Sequence, residues 1–84
     1  MRVQVLFFAS LKEATGIDEI AVELTRAMSF DSFLTLLRKQ LDDAGYQALC
    51  AENVRIAVNQ ELTSGSFEIN PGDEVAFLPP VTGG

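Results

Sequence analysis

The sequence PGDEVAFLPPVTGG, at residues 71–84, says more about the fold than any other segment of the chain. Its Pro-Gly-Asp opening is a turn signal, because proline and glycine supply the backbone angles that tight turns need. The next residues, Glu74–Leu78, alternate in the manner of a strand with one face toward a core. Pro79 and Pro80 cannot continue such a strand, since each fixes φ and lacks an amide donor. A folded body is therefore expected to give way abruptly to an extended segment.

Two glycines, Gly83 and Gly84, close this segment. Without a Cβ they form a narrow, bendable backbone that can enter a slot too small for any side chain. The carboxylate of Gly84 could thereby reach chemistry inside another protein. A frayed terminus is the ordinary alternative, but the two prolines before it stiffen the exit and disfavour simple fraying. We therefore predict a folded domain over residues 1–78 and a flexible functional tail over residues 79–84.

Composition limits the remaining classes of function. The 84 residues, 48% of them apolar and six of them phenylalanine, suffice for one compact domain and disfavour intrinsic disorder. Six basic and twelve acidic residues give a net charge of −6. This balance predicts no nucleic-acid partner, because phosphate contacts need lysine and arginine. An acidic protein instead suits a partner with a basic docking surface.

Cysteine usage and hydropathy predict the compartment. The single cysteine, Cys50, excludes an internal disulfide and fits a reducing environment. No apolar stretch reaches membrane-spanning length, and the first residues lack the charged and apolar regions of a signal peptide. We therefore expect a cytoplasmic protein with no membrane partner.

Apolar periodicity predicts the other strands. Alternating residues indicate strands near residues 3–8, 19–24 and 54–58, and Leu62 is assigned to a short edge strand. In the second of these, the alternation directs Ile20 and its alternate neighbours toward the core.

One main helix is predicted after Ser29, a favoured N-cap residue, with Gly45 as its stop. A shorter helical turn is expected to end at Gly16, which can adopt the left-handed conformation. A helix packed on one face of a mixed sheet would bury every apolar stripe, so the predicted class is α+β with two layers. The stripe of the main helix, spaced for one amphipathic face, comprises Phe30, Phe33, Leu34, Leu37 and Leu41.

Three segments carry a resemblance to a known family: Val5–Ala9, Ala57–Gln60 and Gly72–Gly84. With the element order and the length, they resemble the ubiquitin-like β-grasp fold, a mixed sheet of about five strands with one main helix on one face. At finer grain the chain is similar to the MoaD family, the small sulfur-carrier subunits of molybdopterin synthase. The resemblance covers essentially the whole chain. Its most specific part is Pro-Pro-Val-Thr-Gly-Gly after a Gly-Asp-Glu-Val strand.

The resemblance implies a function for the tail. An E1-like (MoeB-like) activating enzyme would use ATP to adenylate the carboxylate of Gly84, and a sulfur donor would convert it to a thiocarboxylate. The tail would then insert into a MoaE-like large subunit, within an assembly of two small and two large subunits. There the sulfur would pass to a cyclic pyranopterin phosphate. The residues that would insert are Gly83, Thr82, Val81, Pro80 and Pro79.

The chain is expected to be a carrier whose catalytic groups come from its partner. It has no histidine and shows no nucleophile–base or metal-ligand constellation. We expect no bound cofactor and no metal, and interpret the acidic pairs Asp42-Asp43 and Asp73-Glu74 as solvated charge clusters. Cys50 is interpreted as a small apolar packing residue and not as a persulfide carrier.

A docking patch is expected on the sheet face opposite the core. Alternation places Phe8 opposite Phe7 and Leu78 opposite Phe77. Two large apolar residues on neighbouring strands exceed ordinary surface apolarity. We therefore predict that Phe8 and Leu78 bind the partner, with Leu62 as a candidate extension of the patch.

Other functions remain open from the residues alone. A sulfur carrier for thiamine synthesis or tRNA thiolation, and a ubiquitin-like protein modifier, would use the same adenylation step. The tail residues therefore do not separate these functions from one another. A non-reactive binding domain is disfavoured by the two glycines.

Overall fold

The structure, a computed structural model, describes residues 1–79. The predicted tail residues Pro80, Val81, Thr82, Gly83 and Gly84 lie outside the described residues, so the division at residue 78 stays a prediction. The strands are β1 (Arg2–Phe7), β2 (Glu19–Glu23), β3 (Met28–Ser29), β4 (Arg55–Val58), β5 (Glu61–Leu62), β6 (Glu68–Ile69) and β7 (Glu74–Leu78). The helices are α1 (Ala9–Thr15), α2 (Phe30–Arg38) and α3 (Asp43–Leu49).

Five of these strands form one mixed sheet in the order β2-β1-β7-β4-β5. β1 and β7 pair in parallel, with Val5 opposite Val75 and Phe7 opposite Phe77. The other neighbours pair antiparallel, and β3 with β6 forms a separate two-stranded sheet. The predicted α+β class and five-stranded mixed sheet are confirmed. The strand that leads to the tail, β7, lies at the centre of that sheet.

The core lies between one face of the sheet, here called the inner face, and the helices. The Phe77 ring stacks 5.6 Å from Phe7 and lies 6.1 Å from Phe30. Burying each such side chain contributes roughly 1.5–3 kcal/mol, so the alternation of β1 and β7 supplies much of the driving force. The most buried inner-face residues are Val3, Val5, Phe7, Val75 and Phe77, and the helices add Leu11, Phe33, Leu37 and Leu49.

The edge strand β2 follows its predicted pattern with one difference. Val22 is buried, and so is Leu24, which follows the strand directly. Ile20 is only half-buried. β2 pairs with β1 alone, so a residue on this strand has sheet neighbours on one side only.

The main helix begins where predicted but ends earlier. The Ser29 hydroxyl accepts a hydrogen bond from the Ser32 N–H at 3.2 Å, which caps α2. The helix then ends at Arg38, seven residues before the predicted stop at Gly45. A further helix, α3, begins at Asp43, because the Asp42 carboxylate accepts a hydrogen bond from the Gly45 N–H at 2.7 Å. A side chain that captures a nearby amide favours a new helix start over continuation.

The sequence predicts the first helix, α1, as a single turn, and in the structure it spans seven residues. It ends as expected at Gly16, whose φ is 72° and whose N–H donates to the Lys12 carbonyl at 2.9 Å. The helical layer over residues 1–79 thus contains α1 and α3 besides the main helix. None of the helices described in that range is long and apolar enough to cross a membrane.

Gly45 allows α3 to pack closely on α1, because a Cβ at this position would lie 3.2 Å from the Thr15 Cα. Thr15 Cα is backbone and cannot rotate away. We expect Gly45→Val to lower the free energy of unfolding by about 2 kcal/mol through overpacking. Ala44→Val, on the exposed side of the same helix, should cost only about 0.5 kcal/mol of helix propensity. Urea unfolding of both variants measures the difference, and equal stabilities would contradict this account of the α1–α3 contact.

Candidate partner interface and tail exit

The sheet face opposite the core, the outer face, carries an apolar row across four strands. Leu6 of β1 pairs with Ala76 of β7. Ala76 in turn pairs with Ala57 of β4, and Ala57 pairs with Leu62 of β5. Directly opposed residues have Cβ atoms about 4.5–5.5 Å apart on the same face. The four side chains therefore form a continuous strip.

A second row of outer-face residues lies two positions further along β7, closer to the tail. Leu78 pairs with Arg55 on one side, and Phe8 follows β1 on the other side. Phe8 is outside β1, yet its backbone stays extended (φ −112°, ψ 148°) and its N–H donates to the Phe77 carbonyl at 3.2 Å. Phe8 thus continues β1 along β7 for one more residue. Its side chain is 44% exposed, against 1% for Phe7, in agreement with the predicted opposite faces.

These two rows form a shallow trough that we call the outer patch. Phe8 and Leu62 project from it, at 44% and 59% exposure, while Leu78 is half-buried. Ala57 and Ala76 are only 7% and 8% exposed, because the larger side chains beside them rise above their methyl groups. The outer patch comprises Leu6, Phe8, Ala57, Leu62, Ala76 and Leu78.

The structure therefore brings together all three residues predicted to bind a partner, and adds three that the prediction missed. Leu6 could have been found, because alternation places it on the same face as Phe8. Ala57 and Ala76 could not, since their proximity depends on the β4–β7 register. The role of the outer patch in binding stays a prediction.

A tight hairpin positions Leu62 at the edge of the patch. Asn59 and Gln60 connect β4 to β5 with φ values of 52° and 69°, the left-handed pair that a two-residue hairpin loop needs. The Asn59 amide nitrogen donates to Asp73 Oδ1 at 3.0 Å, and its amide oxygen accepts from the Glu74 N–H at 3.0 Å. The hairpin is thus tied to the start of β7. This explains why an asparagine follows the Ala-Val segment singled out in the sequence.

The outer face carries opposite charges at its two ends. At the end where β7 begins, three carboxylates (Glu19, Asp73 and Glu74) and one cation, Arg2, line an open cavity of about 590 Å³, so this end is acidic on balance. At the end where β7 finishes, Arg55 is exposed beside Leu78. The outer patch lies between this acidic margin and this basic one.

The tail leaves the sheet at the basic margin. Leu78 is both the last residue of β7 and a member of the outer patch, and half-buried Pro79 follows it directly. Of the predicted tail-insertion residues, Pro79 alone belongs to the described part of the chain. Whatever covers the outer patch will therefore also lie next to the start of the tail.

Cys50 differs from its interpretation as a packing residue. It is exposed at the C-terminal end of α3, where a helix of only seven residues leaves it outside the core. The interaction with the Cys50 side chain raises the pKa of Tyr46 above its usual value. The Arg38 guanidinium lies 4.7 Å from the centre of the same ring. Within residues 1–79, no three Cys, Asp or Glu side chains converge in a way that could hold a metal ion.

Comparison with known proteins gives matches over nearly the whole chain. The ThiS family matches residues 5–84. The molybdopterin synthase sulfur carrier subunit of Escherichia coli (strain K12) is 39% identical over 84 residues, covering 98% of this chain and 99% of that protein.

Two solved structures are similar over nearly their full length. One is a chain in the complex of subunits 1 and 2 of the molybdopterin-converting factor from Helicobacter pylori 26695, with a TM-score of 0.69, 25% identity and coverage of 100% of this chain and 100% of that chain. The other is small archaeal modifier protein 1 from Methanosarcina acetivorans, with a TM-score of 0.67, 25% identity and coverage of 99% of this chain and 96% of that one. The fold is the ubiquitin-like β-grasp, as the resemblance implied.

Proposed function

This chain belongs to the ThiS family, and we propose that it is the sulfur-carrier subunit of a molybdopterin synthase. The observation that carries the proposal is the 39% identity with a protein of that name over 98% of the chain. The geometry supports it, since the central strand delivers the tail from the edge of an apolar patch.

In the proposed reaction, Gly84 is a reactant and not a general acid or base. A carboxylate oxygen of Gly84 attacks the α-phosphorus of ATP, releasing pyrophosphate and leaving an acyl-adenylate. A sulfur donor then attacks the carbonyl carbon and AMP departs, so that sulfur replaces one oxygen. The C-terminal thiocarboxylate finally gives its sulfur to the cyclic pyranopterin phosphate, and hydrolysis returns the carboxylate. In this scheme ATP is consumed on the activating enzyme, and the chain itself needs no bound cofactor.

The body of the domain provides positioning. From Pro79 to Gly84 the chain reaches at most about 20 Å when extended, at roughly 3.3–3.6 Å per residue. The reacting centre of the large subunit must therefore lie within that distance of the docked body. A side chain at position 83 or 84 would widen the inserted backbone, which is why two glycines suit a confined channel.

The proposed partners follow from the same scheme. One solved neighbour is a complex of two subunits of a molybdopterin-converting factor, and this supports a large, MoaE-like subunit as the partner of this chain. We further propose an assembly of two small and two large subunits, and an E1-like, MoeB-like enzyme for adenylation. We also propose that the reaction takes place in the cytoplasm, where ATP is available.

The outer patch is the proposed docking surface for the large subunit. Phe8→Ala and Leu62→Ala remove exposed side chains, so each should weaken binding by about 2 kcal/mol, roughly thirtyfold, with little change in unfolding temperature. Leu78→Ala should weaken binding similarly and also lower stability, because Leu78 is half-buried. Calorimetric titration against the large subunit and thermal melts measure both effects. Unchanged affinity for all three variants would mean that another surface docks.

The mass of the protein purified from its own cells tests the proposed function. A sulfur carrier should show a fraction of intact chains with one oxygen replaced by sulfur at the C-terminus. The similarity to small archaeal modifier protein 1 favours one second candidate, a protein modifier that forms isopeptide bonds through Gly84. That function would give higher-mass conjugates on lysines of other proteins. Conjugates without any thiocarboxylate would favour the modifier over the sulfur carrier.

A further inference from the structure

Arg55 is a cation placed at the margin of the outer patch. It pairs with Leu78 across the β4–β7 ladder, and it shares the outer face with Ala57, two residues along the same strand. Its side chain is exposed. Arg55 therefore lies beside the residue at which β7 gives way to the tail.

The charges of residues 1–79 leave Arg55 without a carboxylate within 4.0 Å. The other cation of the outer face, Arg2, lies 3.8 Å from Glu23 at the far end of the sheet. Elsewhere in the described part of the chain, Lys12 pairs with Asp18 and Arg38 with Asp43. Among residues 1–79, Arg26 and Lys39 likewise have no carboxylate within 4.0 Å, and Arg55 is distinguished from them by its place beside Leu78, at the start of the tail.

Covering the outer patch with a protein would take Arg55 partly out of water. A guanidinium that loses its hydration without gaining an acceptor costs free energy, because a buried charge needs a partner. Its planar fork of donors matches a carboxylate in bidentate geometry. The surface that covers the patch should therefore supply a carboxylate at this point.

We propose that Arg55 binds an Asp or Glu side chain of the large subunit beside the site where the tail enters it. This inference rests on the proposed function, since it specifies the chemistry of that partner at one point of the interface. This ion pair helps to fix the orientation in which the two subunits dock. The acidic margin of this chain then faces basic groups of the large subunit. Arg55 instead faces an acidic group, at the site where the tail enters the large subunit. Such an arrangement favours the one orientation that brings the tail to its channel.

Two charge-reversal variants distinguish this local ion pair from the general electrostatic attraction between an acidic chain and a basic partner. Arg55→Glu and Arg26→Glu change the net charge equally, and Arg26 lies in the loop between β2 and β3, away from the patch. General attraction predicts that both variants bind the large subunit as well as the wild type or faster. The local pair predicts that Arg55→Glu alone loses roughly tenfold or more in affinity, with an unchanged unfolding temperature. Equal affinities for the two variants would overturn the proposal.

A zero-length cross-link identifies the acceptor. Arg55→Lys keeps the charge and supplies an amine that carbodiimide joins only to a carboxylate in direct contact. We expect mass spectrometry of the treated complex to find position 55 joined to an Asp or Glu of the large subunit, and Arg26→Lys to give no such link. A link from position 55 to the carboxylate of Gly84, or no link from position 55, would overturn the proposal. If the wild-type chain does not bind the large subunit at all, the proposed function itself fails. If it binds but position 55 behaves like position 26, only this inference fails.

Discussion

Deleting Gly84, or adding one alanine after it, should abolish loading with sulfur while leaving the fold unchanged. In the proposed scheme the reacting group is the carboxylate of Gly84, and an added residue moves that carboxylate by more than 3 Å, about one residue of extended chain. The deletion moves it back by the same distance. Neither change touches residues 1–79, where the described core lies, so the free energy of unfolding should not change.

The measurement is intact mass after incubation with ATP, the activating enzyme and a sulfur donor. The wild-type chain should gain a thiocarboxylate and the two variants should not. Ser66→Ala, at an exposed position between β5 and β6, serves as a control that should load normally. A thiocarboxylate on the lengthened chain, with its mass showing that the alanine is still present, would refute the assignment of Gly84.

Gly83→Val should reduce adenylation or sulfur transfer by roughly a hundredfold. The added side chain widens the tail next to the reacting carboxylate, and a displacement of about 1 Å in a reacting group can cost this much in rate. Gly83→Ala should fall between the wild type and the valine variant, because its single methyl group needs less room. The buried core described for residues 1–79 runs from Val3 to Phe77, so we expect both variants to melt at the wild-type temperature.

The matched control for this variant is Val81→Ala. A valine already occupies position 81, so the tail tolerates that side chain two residues before the glycines. Removing it should change the rate far less than adding one at position 83. Normal turnover of Gly83→Val with both partner enzymes would show that the channel is not confined at this residue.

The parts of the fold that depend on local pattern could be predicted from the sequence. Alternation in β1 and β7 correctly assigned Val5 and Phe77 to the core, because a strand directs successive side chains to opposite faces. Serine is a favoured N-cap residue because its side chain can accept a hydrogen bond from an amide three residues later. Ser29 caps α2 in this way. The same kind of signal is wrong at Gly45, where glycine predicts a helix stop and the residue instead lies inside α3. Its actual role is to allow contact with Thr15, a residue thirty positions earlier.

The candidate site could be predicted only in part, because local sequence patterns do not encode contacts between distant residues. Phe8 and Leu78 could be placed on the outer face from their own strands. The recessed position of Ala57 and Ala76, and the presence of Arg55 beside Leu78, follow from the antiparallel register of β4 and β7. Register between strands twenty residues apart is set by packing and turn geometry, including the hairpin at Asn59. No local pattern in either strand encodes it.

The central position of β7 also decides how the domain responds to force. Four residue pairs join β7 to β1, and four join it to β4. The hydrogen bonds of both ladders run across the strand, so a pull along the tail loads them together in shear and does not peel them open one by one. In the proposed mechanism, a partner that draws the tail into its channel, or ejects it after sulfur transfer, would therefore pull against both ladders at once. The folded domain can therefore hold the start of the tail in place, and repeated cycles of insertion and withdrawal need not unfold the domain.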